Sequence, residues 1–434
     1  MNKEFSSFKK KYKLTKWGKD LFPICRSITG KGTRKTINYI KKNVNNNFLL
    51  KAVKSNQSFF DWKIPPEWEI KEAYIMDSDN NKVCDFKENN LHILYYSSPI
   101  NKILTLKQLK KNIFTIKKKP NAIPYVTSYY KKKWGFCMRH NDFKKLRNNQ
   151  KYKVLIKSRH FRGVMNYTEM VIKGKSKKEI LVCSYICHPS LANNELSGPL
   201  IIMALSKILR PSKYTIRLLL IPETIGAITY IAKNYKRLKN NLVAGFNLSC
   251  MGDNGPYTLI SSINENTYSD KIATRIIKKR KNFKKLSFLK RGSNERQFGC
   301  QNLNLSFTTI CRTRFGDYKE YHTSDDNLNF ISEKNLVNSL KCILEIIKDI
   351  QNNQIFVKNV YCEPFLTKYG MIHTTSSVKN TINNIKEKNI NNVISYVSKN
   401  YDLRELSKKI KIPINKLKSI IAKLKSKKII KEYI

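Results

Sequence analysis

The sequence predicts an α/β fold: a mainly parallel sheet with helices on both faces, carrying an inserted β-rich domain and a C-terminal winged helix. Three observations support this. From Tyr167 to about Ile350, apolar runs of strand length alternate with helical patterns, the rhythm of parallel strands joined by crossovers. From about Phe59 to Phe161 the texture shifts to short alternating runs rich in Tyr, Trp, Ile and Pro. After Asn352, three short helical patterns end in a basic hairpin strand, the outline of a winged helix. The expected domains are a discontinuous α/β domain over residues 1–58 and 162–352, the insertion over 59–161, and a linker with the winged helix over 353–434.

Taken in order, the stretch from Phe8 to about Leu50 reads as helical, with Pro23–Gly30 as a loop before a second helix. Gly30 and Gly32 stand beside Lys31 and Thr33, but the Gly-x4-Gly-Lys-Ser/Thr spacing of a phosphate-binding loop is absent, and a turn fits them better. In the insertion, Asp61–Trp68 and Ile123–Tyr130 read as strand-and-turn elements. Their aromatic residues suit the core of a small β domain better than a ligand surface. The α/β strands are Ile180–Ile186, Thr215–Ile221, Leu242–Leu248 and Leu305–Cys311, apolar as strands buried on both faces must be. In the winged helix, Asp402 is the expected N-cap of the second helix and the third follows Pro413.

Bulk composition bounds the function only loosely. Of 434 residues, 41% are hydrophobic and 11% aromatic, so the chain is globular and long enough for a sizeable core. Lys plus Arg number 84 against 31 acids, a formal charge of +53. Such a field attracts polyanions. The lysines are spread along the whole chain, however, where a nucleic-acid footprint would be clustered, and the third helix of the winged domain offers Asn415 but no cluster for base readout. Nucleic-acid contact is therefore expected to be non-specific. The ten Cys residues show no CxxC and no disulfide-scaffold density; Cys183 and Cys187 read as buried thiols. Met1–Phe5 has no apolar signal core, and no run approaches the ~18 apolar residues of a membrane helix, so a cytoplasmic protein is expected without a membrane partner.

The candidate chemistry lies at strand ends. His188 follows the first strand, Glu223 the second, Asp253 the third and His322 the fourth. Open α/β sheets bind ligands at the carboxyl ends of their strands, so these four converge on one crevice. Two imidazoles and a carboxylate can hold zinc with a position left for water, and a further Glu can move the water proton. Taken singly, a loop His is more often structural, and Asp325-Asp326 before Asn327 could be an ordinary helix cap. No Gly-x-Ser-x-Gly elbow and no His-Glu-x-x-His helix occurs, which removes serine hydrolases and thermolysin-like sites.

At Pro23–Gly30, Asp61–Trp68, Ile123–Cys137, Cys187–Pro199, Pro222–Ile228, Arg291–Gln297 and Glu320–Asp325 the chain resembles a bacterial aminopeptidase-like family of unknown function, related to the zinc aminopeptidases, with an inserted domain and a C-terminal winged helix. The resemblance implies that His188 and His322 are metal ligands and Glu223 the general base of a Glu-Glu-x-Gly pattern. It also marks departures. Thr224 replaces a metal-binding Glu, Asn194 the bridging Asp, and Asn294 the Asp of a Gly-Ser-Asp-Glu-Arg-Gln stretch. These argue for one zinc ion, held by His188, His322 and Glu195, with Asp253 as a further candidate ligand. Glu295 and Arg296 are the remaining catalytic candidates, Arg296 to grip a substrate carboxylate.

The expected function is a zinc-dependent hydrolase acting on a peptide or small amide, including acylated sugars. The alternative is a catalytically degenerate peptidase fold that binds or regulates through its winged helix. The sequence does not give the oligomeric state.

Overall fold

Runs in which every residue is apolar can be satisfied only where both faces of a sheet are covered, and the central strands of this protein occupy that position. A computed structural model describes residues 13–371 and 382–433. The stretch Met1–Phe5, read above for a signal core, and the start of the helical pattern at Phe8 lie outside the described residues. The described chain forms two compact units, one running to Ile346 and the other starting at Ile347.

The first unit is built on an eight-stranded sheet. Its strands are β1 (Leu49–Lys54), β6 (Val164–Ile172), β7 (Ser176–Tyr185), β8 (Tyr214–Ile221), β9 (Leu242–Leu248), β10 (Thr258–Ile260), β11 (Lys284–Leu286) and β12 (Phe307–Cys311). They lie in the order β1-β6-β8-β7-β9-β12-β10-β11. The four central strands β8, β7, β9 and β12 run parallel, while β6 on one side and β10 on the other join antiparallel. The four predicted strands coincide with these central ones to within a few residues at each end. Successive strand residues point to opposite faces, so the unbroken burial of Ile180–Tyr185 means that both faces are covered. Helix α1 (Leu14–Leu21) packs on α3 (Ser197–Ile208), which lies on β7 and β8; α2 (Lys31–Asn43) packs on β1 and β6. Helices α4 (Ile225–Asn241) and α5 (Tyr268–Ile277) pack on the β7–β9–β12 side of the sheet.

Residues 59–161 form a second, antiparallel sheet from β2 (Glu67–Met76), β3 (Lys82–Asp85), β4 (Ile100–Thr105) and β5 (Lys151–Phe161), ordered β3-β2-β5-β4. Its apolar residues are continuous with the main core: Tyr95, Ile123 and Phe136 belong to the same cluster as Leu181, Ile221 and Phe307. The segment therefore contributes walls to the main unit.

Helix α6 (Glu333–Gln351) runs across the point where the units divide, so the boundary expected after residue 352 falls just past its end. The second unit holds α7 (Ile382–Tyr396), α8 (Leu403–Lys409) and α9 (Ile414–Ser426) around Val393, Leu406, Leu417 and Leu424, with β13 (Phe356–Lys358) paired antiparallel to β14 (Ile430–Glu432). Asp402 caps α8, accepting from the N–H groups of Arg404 and Glu405 at 2.9 Å each. Among the described residues, no helix is long and apolar enough to cross a membrane.

One glycine fixes how the site-bearing loop meets the sheet. A Cβ at Gly198, at the start of α3, would collide with Ser184 Oγ and stand 2.5 Å from the Leu248 carbonyl. We expect Gly198→Ala to cost about 1–3 kcal/mol of unfolding free energy. Urea denaturation of the two proteins measures it, and unchanged stability would mean that this contact relaxes freely.

Candidate active site

Because β8, β7, β9 and β12 are parallel, their carboxyl ends share one edge of the sheet, and the segments that follow them build the site. The β7 segment contributes most. After His188 the chain turns through a π-helical stretch, Ala192–Leu196, before α3 begins. Such wide turns are frequent at functional sites. This one is held from across the sheet by Asp326, whose carboxylate accepts from the N–H groups of Asn193 (2.6 Å) and Asn194 (3.0 Å). Burial raises the Asp326 carboxyl to about 6 against those bonds. Asp326 is thus a cap, as its sequence context allowed, but for a distant segment.

The turn aims Glu195 at the back of His188. Its Oε2 lies 2.8 Å from His188 Nδ1, and its Oε1 faces Arg26 Nε at 3.6 Å, with both charged side chains fully buried. Arg26 also donates to the carbonyls of His188 (3.0 Å) and Leu21 (2.5 Å). Burial would lower the His188 imidazole, but Cys187 and Glu195 beside it hold it well above its ordinary value. The sequence places Glu195 beside His188 as a fellow ligand; in the structure it sits behind the ring, as the carboxylate that orients it. Carboxylates bonded to the far nitrogen of a ligating imidazole are the usual support of such sites.

The β8 segment presents Glu223 to the other ring nitrogen. Its Oε2 is 3.8 Å from His188 Nε2, and its Oε1 accepts from Ser293 Oγ at 2.6 Å. Burial raises the Glu223 carboxyl above its usual range. Thr224 follows in a left-handed conformation (φ 62°), with its N–H donating to Asn294 Oδ1 at 3.0 Å. Non-glycine residues at positive φ persist where surrounding bonds over-determine them, commonly at functional sites. Glu295, a catalytic candidate by sequence, instead holds this turn: its Oε1 accepts from the N–H groups of Gly292 (2.6 Å) and Ser293 (2.9 Å), and its Oε2 from Thr309 Oγ1 (2.7 Å). Its service is to position Ser293 and, through it, Glu223. Arg296 donates to Thr224 Oγ1 at 2.8 Å and lines the cavity.

His322 completes the site in a left-handed turn (φ 53°), its carbonyl accepting from Tyr125 N–H at 2.8 Å. Its ring stacks on Tyr321 at 3.9 Å and stands 5.5 Å, centre to centre, from the ring of His188. Burial, then the charge on His188, pushes the His322 imidazole down to about 3, so it is neutral. His322 Nε2 is buried and has no hydrogen-bond partner among the described residues. Asp253 is not brought to this cluster. Its carboxylate accepts from Asn193 Nδ2 (2.8 Å), Gly255 N–H (2.6 Å) and Thr313 Oγ1 (2.7 Å), which makes it a loop anchor.

The donor set can be tested for a metal ion. A desolvated, neutral imidazole nitrogen with nothing to bond is what a cation explains. Two rings sharing a tetrahedral zinc at ~2.0–2.1 Å would have centres roughly 5 Å apart, close to the spacing found. Among the described residues, the potential ligand atoms lying within 4.8 Å of one another belong to Cys187, His188 and Glu195. That group is on the Nδ1 side of His188, where buried Arg26 already neutralises Glu195 and burial raises the Cys187 thiol. The Nε2 side therefore suits a cation better. Of the carboxylates discussed, only Glu223 lines the cavity there. The cavity measures about 320 Å³ and is also walled by Trp62, Tyr129, Tyr130, Ile225 and Gln297. The expectation that the aromatics of the insertion serve its core holds for Trp68, Tyr95 and Tyr96, while Trp62 and Tyr129 both pack on the core and wall the cavity, and Tyr130 is exposed.

Sequence reasoning missed Arg26, Ser293 and Tyr125 as parts of the site. Arg26 carries the one usable signal, a charged residue in an otherwise small and apolar loop, Pro23–Gly30.

Comparison with known proteins places this geometry. A family model described as "Domain of unknown function (DUF4910)" matches residues 15–353. A Clostridium acetobutylicum protein named "Putative polysaccharide biosynthesis protein with aminopeptidase-like domain" is 41% identical over 360 residues, 81% of each chain. The crystal structure of a "putative peptidase" from the same organism superposes with a TM-score of 0.80 at 36% identity, covering 99% of both chains. A zinc aminopeptidase from Bacillus subtilis matches with a TM-score of 0.58 at 12% identity, over 78% of this chain and 93% of that one, a likeness of fold alone.

Two outcomes are expected. Arg26→Met leaves Glu195 buried with His188 as its remaining partner, and we expect a loss of about 3–5 kcal/mol in chemical denaturation, part of which returns when Glu195→Gln is added. Additive effects of the two changes would show that the pair is uncoupled. For His322, the folded value near 3 lies below the ordinary 6.5, so the unfolded chain binds the extra proton between them. Stability of the metal-free protein then falls on acidification, by about 1.4 kcal/mol per pH unit between roughly pH 6 and 4. His322→Gln should lack that increment; identical pH profiles would refute a neutral buried His322.

Proposed function

The chain belongs to this family, whose fold is that of the aminopeptidases, and from that premise we propose that it is an amide hydrolase dependent on one zinc ion held by His188 and His322, with Glu223 as general base. The observation that carries the reading is the buried and unbonded Nε2 of His322, on a ring whose centre stands 5.5 Å from that of His188. Zinc bound there would supply Lewis acidity to a substrate carbonyl and make water easier to deprotonate.

The side chains supply the rest. Glu223 takes a proton from water through the oxygen that Ser293 leaves free, and its raised pKa lets it return that proton to the leaving amine. Arg26 and Glu195 fix the His188 ring, so that Nε2 is directed toward Glu223. Arg296, with one guanidinium nitrogen on Thr224, can grip a substrate carboxylate.

The substrate class is a peptide or small amide. Trp62, Tyr129 and Tyr130 present aromatic faces to the cavity, a surface suited to a sugar ring as much as to an apolar side chain. Together with the polysaccharide-biosynthesis name of the Clostridium relative, they favour an acylated amino sugar as the second substrate to screen. We read the C-terminal unit as a winged helix; Lys416, Lys418, Lys423 and Lys425 on α9 allow phosphate contacts without sequence selectivity.

Elemental analysis of purified protein should find about one zinc per chain, lost in both His188→Ala and His322→Ala. Loading should strengthen as pH rises, since His188 must give up a proton to ligate. Glu223→Gln should retain the ion and lower kcat by about 10²–10⁴-fold. Wild-type protein that takes up no zinc at neutral pH would leave the fold as a binding scaffold.

A further inference from the structure

The loop Pro23–Gly30 has two sides. Arg26 and Ile28 face the active site, where Arg26 bonds His188 and Ile28 lines its cavity. Ser27 faces a second cavity of about 560 Å³, also lined by Lys31, Lys35, Trp68, Lys71 and Phe86. Helix α2 begins at this cavity. Its N-cap is Gly30 (φ 107°), and no side chain caps it. The first-turn N–H groups of a helix point outward and its dipole favours an anion there.

A helix start alone would not define a site, but Ser27 adds an independent sign. Ser27 is 2% exposed, and its hydroxyl has no hydrogen-bond partner. The neighbouring hydroxyls are engaged: Thr33 Oγ1 donates to the Ser27 carbonyl at 2.6 Å, and Thr29 Oγ1 accepts from Trp68 N–H at 3.2 Å while contacting Tyr96 OH. A buried hydroxyl left unsatisfied costs free energy that a ligand can restore. The charge around it is cationic. Lys31, Lys35 and Lys71 line the cavity, and the one acid there, Glu69, is committed to Arg159, which donates from Nε at 2.8 Å. The tight loop is built in: a Cβ at Gly32 would collide with the Cys25 carbonyl.

We propose that this cavity is a binding site for a phosphoryl group, held by Ser27, Lys31, Lys35, Lys71 and the start of α2. Three lysines and a helix N-terminus match a dianion better than a singly charged carboxylate, and lysine is a point-charge binder suited to phosphate. Trp68 and Phe86 beside the cations leave room for an organic group carried by a phosphate monoester.

The test is titration calorimetry on the full chain with inorganic phosphate, phenyl phosphate and benzoate, in chloride buffer of constant ionic strength. We expect saturable binding of phosphate at one site per chain, and at least ~10-fold weaker binding in both Ser27→Ala and Lys31→Ala/Lys35→Ala. Lys41→Ala/Lys42→Ala, exposed on the last turn of the same helix, removes equal charge and should bind as wild type. Circular dichroism confirms that each variant folds, and the lysine pair is exposed, so it reports even if Ser27→Ala does not. Tighter binding of phenyl phosphate than of inorganic phosphate assigns the site to esters; equal binding assigns it to the free ion. Non-saturable uptake, equal loss in both lysine pairs, or benzoate binding as tightly as phosphate overturns the proposal.

Discussion

The structure turns on one buried contact, the guanidinium of Arg26 against the carboxylate of Glu195. Both are fully buried, and a charge moved into a protein interior alone is so unfavourable that it would neutralise or unfold its surroundings. Together they survive, because Arg26 donates from Nε and Nη1 to the carbonyls of His188 and Leu21, while Glu195 places its second oxygen on the His188 ring. The N-terminal loop, the end of β7 and the π turn are thereby bound into one electrostatic unit. Replacing such a pair with apolar groups often stabilises a protein. Its place behind the His188 ring, rather than in the general core, gives it a purpose beyond stability: His188 cannot flip or change tautomer without losing its hydrogen bond to the carboxylate that Arg26 holds.

The parallel strands set the stage on which that unit acts. Four carboxyl ends at one edge bring together segments far apart in sequence, yet convergence alone decides little about side chains. Asp253 and Glu223 both follow strand ends, and only Glu223 opens onto the cavity; Asp253 is consumed in bonding Asn193, Gly255 and Thr313. Asp326 and Glu295 show the same economy, each binding two backbone N–H groups to hold a turn that carries another residue. Much of the acidic complement near the site is thus scaffolding for a small working set.

This division explains what could be read from the sequence. The central strands were legible because burial on both faces forces unbroken apolar runs such as Ile180–Val182, and His188, Glu223 and His322 were legible because strand ends converge. The side of His188 on which Glu195 lies was not, since it depends on a π turn whose register is set by Asp326, more than a hundred residues away. Arg26 stood out as the one charge in a small, apolar loop, but its role was not legible, because its partners are assembled only in the fold. Aromatic residues failed as a signal in a different way. Trp62 and Trp68 stand six residues apart in one strand-and-turn segment, yet one walls the cavity and the other is nearly fully buried against Tyr95 and Tyr96. Alternation gives the face of a strand, not what lies opposite it.

The chemistry available to the site follows from its charges. Zinc aminopeptidase-like folds that hold two cations must supply several carboxylates to offset them; here Asn194 and Thr224 stand where the resemblance expects acids, and Asn194 spends its amide nitrogen on Tyr185 OH. Glu223 is left as the single carboxylate lining the cavity beside His188. A second divalent ion would meet repulsion from the first with no further cavity-lining carboxylate among those discussed to offset it, and that repulsion grows as the surroundings dry out. A single ion meets the opposite situation, with one carboxylate and one desolvated nitrogen that gain from its presence. The same burial therefore raises both the cost of unmatched charge and the gain from a matched one.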